Sequence, residues 1–137
     1  MYLLGIPLLL IPFAIYNIIA FLMPGVSWTS AIASVTMVSG QAWTITPEDL
    51  LIALSIVLLY GEIFKSARAS SNRGLIDHLL SFALFVVMGV EFLLVGRAAT
   101  STFFLLLLLE LVDVLAGFTI ASRTARRDVA IEEAIHP

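Results

Sequence analysis

LIDHLLSFALFVVMGVEFLLVGRAATSTFFLLLLLELVDVLAGFTIAS, residues 75–122, is the stretch whose reading decides the fold. Each of its two apolar runs is long enough to cross a hydrocarbon layer of about 30 Å, and only Gly96-Arg97-Ala98-Ala99-Thr100 separates them. A link that short joins antiparallel neighbours, so the stretch predicts a pair of membrane helices over about 75–96 and about 101–123. Ionisable side chains lie inside both: Asp77, His78 and Glu91 in the first, Glu110 and Asp113 in the second. Charged groups at membrane depth are costly unless they face protein or water, so these residues bound where an activity can sit.

The sequence before this pair predicts two further helices and a hairpin. Thr46-Pro47-Glu48-Asp49 places Thr46 as an N-cap, proline at the first helical position and acids in the first turn, which starts a helix at 47 that runs to about 67. Residues 68–74 form a short, polar, basic loop. Met1 to Met23 is apolar almost throughout, so a spanning helix over about 2–23 is expected, with Pro7 and Pro12 inside it as bending points. It lacks the basic start and small-residue cleavage site of a signal peptide. Asn17, its one strongly polar side chain, reads as an interhelical hydrogen-bond former. The outer loop, 24–46, is uncharged and rich in Ser and Thr. Alternation in Ser34-Val35-Thr36-Met37 and Ala42-Trp43-Thr44-Ile45-Thr46, around Ser39-Gly40-Gln41, predicts a β-hairpin. Trp28 and Trp43 read as interfacial anchors, with a partner-binding surface as the sharper alternative.

Composition agrees with a membrane solvent: of 137 residues, 61% are hydrophobic and 12% charged, and the mean hydropathy is +1.08. The fold class expected is an all-α membrane protein, a single domain built as a four-transmembrane-helix bundle, with a short extracytoplasmic β-hairpin between helices 1 and 2. Basic residues are confined to Lys65, Arg68 and Arg73, to Arg97, and to Arg123, Arg126 and Arg127. That asymmetry places the N-terminus, the 68–74 loop and the tail, 124–137, in the cytoplasm. There is no cysteine, hence no disulfide framework and no thiolate site. No cofactor and no nucleic-acid partner are expected; the partners expected are the lipid bilayer and either a second copy or another membrane protein.

Two polar layers follow from helical spacing. Asp77, Ser81, Leu84, Met88 and Glu91 fall along one stripe of the third helix, and Glu110, Asp113, Gly117, Ala121 and Thr124 along one stripe of the fourth. Ser55 and Glu62, seven apart, share a face of the second. Glu62, Lys65, Asp77 and His78 read as an inner layer explained by ordinary membrane-edge electrostatics, with proton uptake at His78 as the functional alternative. Glu91, Glu110 and Asp113 read as an outer layer with no Lys or Arg within the spans to pair with them; Arg97 can reach the fourth helix or extend outward. These three are the candidate ion or proton site, binding a hard cation through oxygen ligands or relaying protons, while a neutral acid donating an interhelical hydrogen bond is the structural alternative. No particular metal is indicated, and soft metals are disfavoured. Gly89, Gly96 and Gly117 read as places of close helix approach. Nothing supplies a nucleophile, a phosphate-cradling loop or a catalytic histidine constellation, so enzyme activity is the least supported class.

Several strings together, Ser39-Gly40-Gln41-Ala42-Trp43-Thr44-Ile45-Thr46, Ile76-Asp77-His78-Leu79-Leu80-Ser81, Glu91-Phe92-Leu93-Leu94, Thr100-Ser101-Thr102-Phe103-Phe104-Leu105-Leu106, and Leu111-Val112-Asp113-Val114-Leu115-Ala116-Gly117-Phe118-Thr119 followed by Ala125-Arg126-Arg127-Asp128, resemble a family of small four-helix inner-membrane proteins of Gram-negative bacteria. The resemblance covers about 35–128 and implies an inner-membrane location but no activity. A looser likeness to claudin-type proteins is architectural and lacks their paired outer-loop cysteines. The expected function is that of a small accessory or interaction subunit that self-associates or packs against another membrane protein, with a proton- or cation-coupled carrier or channel as the rival.

Overall fold

In the computed structural model, which describes residues 5–68 and 71–135, Thr46 and Asp49 cap each other reciprocally. The Asp49 N–H donates to Thr46 Oγ1 at 3.2 Å and the Thr46 N–H donates to Asp49 Oδ2 at 3.0 Å. That capping box starts helix α2 at Pro47, and α2 runs to Arg68. A second long helix, α3, covers Ser71–Leu94, and a 3-10 turn at Gly96–Ala98 leads into α4, Ser101–Ile135. Thr100 caps α4, its Oγ1 accepting the Phe103 N–H at 3.1 Å. At 35 residues α4 extends about 52 Å, so the expected tail continues as helix through Ile135; residues 136 and 137 lie outside the described residues.

Helix α1 departs from expectation, covering only Leu10–Leu22. The described residues before it, Gly5 to Leu9, are not α-helical, and the expected start near residue 2 lies outside the described residues. Proline chemistry sets the boundary. Pro7 has no N–H and disfavours helical backbone at Ile6, whereas Pro12 falls in the first turn, where its missing N–H needs no partner. The prolines therefore bracket the start of the helix instead of bending its interior. At 13 residues α1 is shorter than the roughly 20 that a bilayer needs. Among the described residues there are thus four α-helices, of which α2, α3 and α4 are long and apolar enough to cross a membrane.

Between α1 and α2, β1 (Ala33–Thr36) and β2 (Ala42–Ile45) form the expected antiparallel hairpin, with Val35 opposite Trp43 and Ala33 opposite Ile45. Its turn closes through the Gly40 N–H to the Met37 carbonyl at 2.9 Å, and Gly40 takes the positive φ of 89° that glycine tolerates without strain.

Helices α2 and α3 each pack along α4, and the predicted stripes are buried in part, with Glu91, Gly117 and Ala121 only half-buried. Leu51, Ser55, Leu59 and Glu62 are buried on α2; Asp77, Ser81, Leu84 and Met88 on α3; Phe103, Leu106, Glu110 and Asp113 on α4. Their outward faces carry large exposed apolar side chains, among them Val57, Tyr60, Leu93, Leu94 and Phe118.

Candidate functional site

Polar groups at the hairpin end of the bundle are knitted into a network. Tyr16, fully buried on α1, donates its hydroxyl proton to the Arg97 carbonyl at 2.7 Å and lies 2.8 Å from Thr100 Oγ1. Its ring stacks on Trp28 at 4.7 Å and meets Phe103 edge-on at 5.0 Å, so Trp28 is packed onto the core and is not a free anchor, while Trp43 on the hairpin is half exposed. Arg97 reaches neither α4 nor outward alone. It donates to the Ala20 carbonyl at 2.8 Å, satisfying the C-terminal end of α1, and lies over the Phe21 ring. Thr102 donates to Glu48 at 3.0 Å. Glu91 belongs to this end: Asn17 Nδ2 donates to its Oε2 at 3.4 Å, and to the Phe13 carbonyl at 3.0 Å. An open apolar groove of about 350 Å3 between α1, Trp28 and the start of α2 is the neighbouring concavity, and its lining carries no charge.

The second polar region lies deeper and is built differently. Glu110, fully buried on α4, is within electrostatic range of Asp113 on its own helix and of Glu62 on α2. Asp113, 3% exposed, has Ser81 of α3 in hydrogen-bonding range and also feels Glu62, Lys65 and Asp77. Asp77, 5% exposed, lies near Lys65 and Arg73. Glu62, 1% exposed, pairs with Lys65 at 3.2 Å. His78 packs on α4 at Gly117, where a Cβ would come 3.1 Å from its Nδ1. Three helices thus converge on one acid layer of Glu62, Asp77, Glu110 and Asp113.

This arrangement redraws the two layers expected from spacing. Glu110 and Asp113 join Glu62, Asp77, Lys65 and His78, and Glu91 stands apart with Asn17 at the other end. Glu62 is buried because α2 packs its Leu51-Ser55-Leu59-Glu62 face inward. Of the expected close-approach glycines, only Gly117 fits the description; an added Cβ at Gly89 or Gly96 meets nothing within 4 Å. Gly61, by contrast, lies under Leu8, whose Cδ1 would sit 3.2 Å from an added Cβ.

The layer also differs from the hairpin end in how its polar atoms are satisfied. Four buried side-chain atoms among the described residues have no hydrogen-bond partner: both carboxyl oxygens of Glu110, Asp113 Oδ2 and His78 Nδ1. All four lie in or beside the acid layer, whereas buried polar groups in folded proteins are ordinarily paired. No group of three or more His, Asp or Glu among the described residues is placed to hold a metal ion, so the expected carboxylate cage for a hard cation is not assembled there.

Comparison with protein families, curated proteins and solved structures found no match to this chain.

Proposed function

We propose that the protein is a small integral membrane protein that takes up and passes protons through the Glu62–Glu110–Asp113 layer. The observation that carries this reading is Glu110, a fully buried acid whose two carboxyl oxygens have no hydrogen-bond partner among the described residues and whose near neighbours are two further acids. A carboxyl kept for structure is held by donors; one kept for proton exchange must remain able to gain and lose its proton. Charge balance points the same way. The layer sets Glu62, Asp77, Glu110 and Asp113 against Lys65, with Arg73 beyond Asp77, so protons are the simplest means of neutralising the remainder. Protons are favoured over metal cations because the acids are not disposed as a cage.

Membrane insertion is part of the proposal. Three helices of spanning length, with apolar side chains exposed along their outer faces, support it. So do Lys65, Arg68 and Arg73, clustered where α2 gives way to α3 and not in a 68–74 loop, since α3 already begins at Ser71; they favour an inner-membrane protein with both termini cytoplasmic and the hairpin outside. The resemblance to small four-helix inner-membrane proteins of Gram-negative bacteria fits the same picture.

The test is proton flux into vesicles loaded with a pH-sensitive dye. Wild-type protein is expected to dissipate an imposed pH gradient, and Glu110→Gln and Asp113→Asn to slow it about 100-fold, the lower end of what a positioned acid or base contributes to proton transfer. Flux equal to that of empty vesicles, or unchanged in both variants, refutes the reading. One observation favours an accessory subunit as second reading: the hairpin exposes Val35 and Trp43 from a segment with no charge. Photocrosslinking from position 43 in native membranes tests it, and recovery of monomer alone argues against it.

A further inference from the structure

Glu62 belongs to two constructions at once. It faces Glu110 and Asp113 in the acid layer, and its Oε2 also accepts the Leu8 N–H at 2.9 Å while pairing with Lys65 at 3.2 Å. Lys65 Nζ donates to the Ile6 carbonyl at 2.9 Å. The segment ahead of α1 is therefore tied, through a backbone N–H and a backbone carbonyl, to one ion pair on α2. It also has a seat. Gly61 lacks the Cβ that would press on Leu8, and Pro7 and Leu9, on either side, are buried.

We propose that Ile6–Leu9 is a strap that closes the acid layer at the end of the bundle where α2 and α3 join, and that Glu62 releases it on taking up a proton. The proposal rests on the proton reading above and adds its gate. With Glu62 as carboxylate, Lys65 is paired and the Leu8 N–H has a charged acceptor, the stronger kind of hydrogen bond. When a proton moves from Glu110 to Glu62, the O–H bond on Glu110 breaks and one forms on Glu62, so the negative charge passes to Glu110. The Lys65 ion pair is lost and the Leu8 N–H is left with a neutral acid. Besides Lys65 on its own helix, the charged groups facing Glu62 are Glu110 and Asp113 on α4, with Asp77 on α3 next to Asp113 and Lys65, and Arg73 beyond Asp77. The strap itself contributes only backbone groups.

The chain has no cysteine, so Leu8→Cys introduces a single reporter thiol. Its rate of reaction with a water-soluble maleimide is read in the full-length protein in phosphatidylcholine vesicles. Dividing by the rate for Ser39→Cys on the exposed hairpin turn corrects for the pH dependence of thiol ionisation. The ratio is expected to rise about tenfold as the medium is acidified, the scale set by losing a hydrogen bond to a charged group. Glu62→Gln, which cannot form the ion pair, is expected to hold the high ratio at every pH. Lys65→Gln removes the other half of the pair and gives the same result, so the test survives misfolding of the Glu62 variant. A ratio unmoved by pH and by both substitutions overturns the strap. Proton flux in the same vesicles separates the two proposals. Flux that depends on Glu110 with an unresponsive thiol sinks the strap alone, whereas a responsive thiol without flux upholds the strap and sinks proton conduction.

Discussion

Replacing Glu110 by methionine should stabilise the protein and, on the proposed proton pathway, abolish flux. The carboxyl is fully buried, neither oxygen has a hydrogen-bond partner, and Glu62 and Asp113 lie close by. A buried polar group without a partner costs about 1–3 kcal/mol, and apolar replacement of buried ionisable groups is often stabilising by about 1–4 kcal/mol. Methionine has nearly the length of glutamate and fills the same space with polarisable, apolar atoms. A gain of about 2 kcal/mol is therefore expected, which raises the melting temperature of a chain this size by roughly 6–10 °C. Glu110→Gln is the internal control: its amide would bring two unpartnered donors into the same site, so no gain is expected from it. The assay is thermal unfolding in mild detergent followed by far-ultraviolet circular dichroism, run beside the vesicle flux measurement. A loss of more than about 1 kcal/mol in the methionine variant would mean that the carboxyl is held by hydrogen bonds, and the reasoning from its isolation would collapse.

Other substitutions probe the frame that positions the layer. Tyr16→Phe removes a hydroxyl bonded to the Arg97 carbonyl and Thr100, and should lower stability by about 1–2 kcal/mol in the same melt; an unchanged midpoint refutes the role given to that network. Thr46→Ala should cost about 1 kcal/mol, and combining it with Asp49→Ala should cost less than the sum of the two because both remove one capping box; strict additivity counts against the box. Gly117→Ala and Gly89→Ala should have opposite signs. The first crowds His78 and should destabilise by about 1 kcal/mol, while the second adds a methyl in open space on a helix and should stabilise by about 0.5–1 kcal/mol; equal effects of one sign refute the contrast.

Local chemistry made much of this fold legible. The reciprocal Thr46–Asp49 cap, the Gly40 turn and the 77-81-84-88 stripe each follow from residue types at short spacing, and the structure contains all three. The start of α1 is hidden from hydropathy, which treats Pro7 and Pro12 as merely apolar, whereas the helix is set by where a missing N–H is tolerated: Pro12 sits in the first turn and Pro7 ahead of it. Arg97 escaped because its acceptor is a helix-end carbonyl, Ala20, far away in sequence. Closeness to Lys65 suggests the membrane edge for Glu62, whereas rise per residue places it at the level of the acids of the other helices. Measured from the hairpin end, Glu62, Ser81 and Asp113 lie about 23, 20 and 18 Å along α2, α3 and α4, with Glu110 at about 14 Å and Glu91 at only about 5 Å.

The contrast between the two ends of the bundle is what gives the acid layer its meaning. At the hairpin end, Tyr16, Thr100, Thr102, Glu48 and Arg97 all have partners drawn from different segments, so this chain is able to satisfy buried polar atoms where they serve architecture. At the level of Glu110 the same helices leave both of its oxygens, Asp113 Oδ2 and His78 Nδ1 without partners among the described residues. Unpaired buried polar groups reduce stability, and methionine or leucine at position 110 would satisfy the packing without that penalty. Apolar residues abound on α4, where Leu105 to Leu109 run uninterrupted immediately before Glu110. A carboxyl standing where the local composition so readily supplies leucine is therefore poorly explained by packing alone. On the proposed proton pathway, the capacity to bind and release a proton beside two other acids would account for both its position and its lack of partners among the described residues.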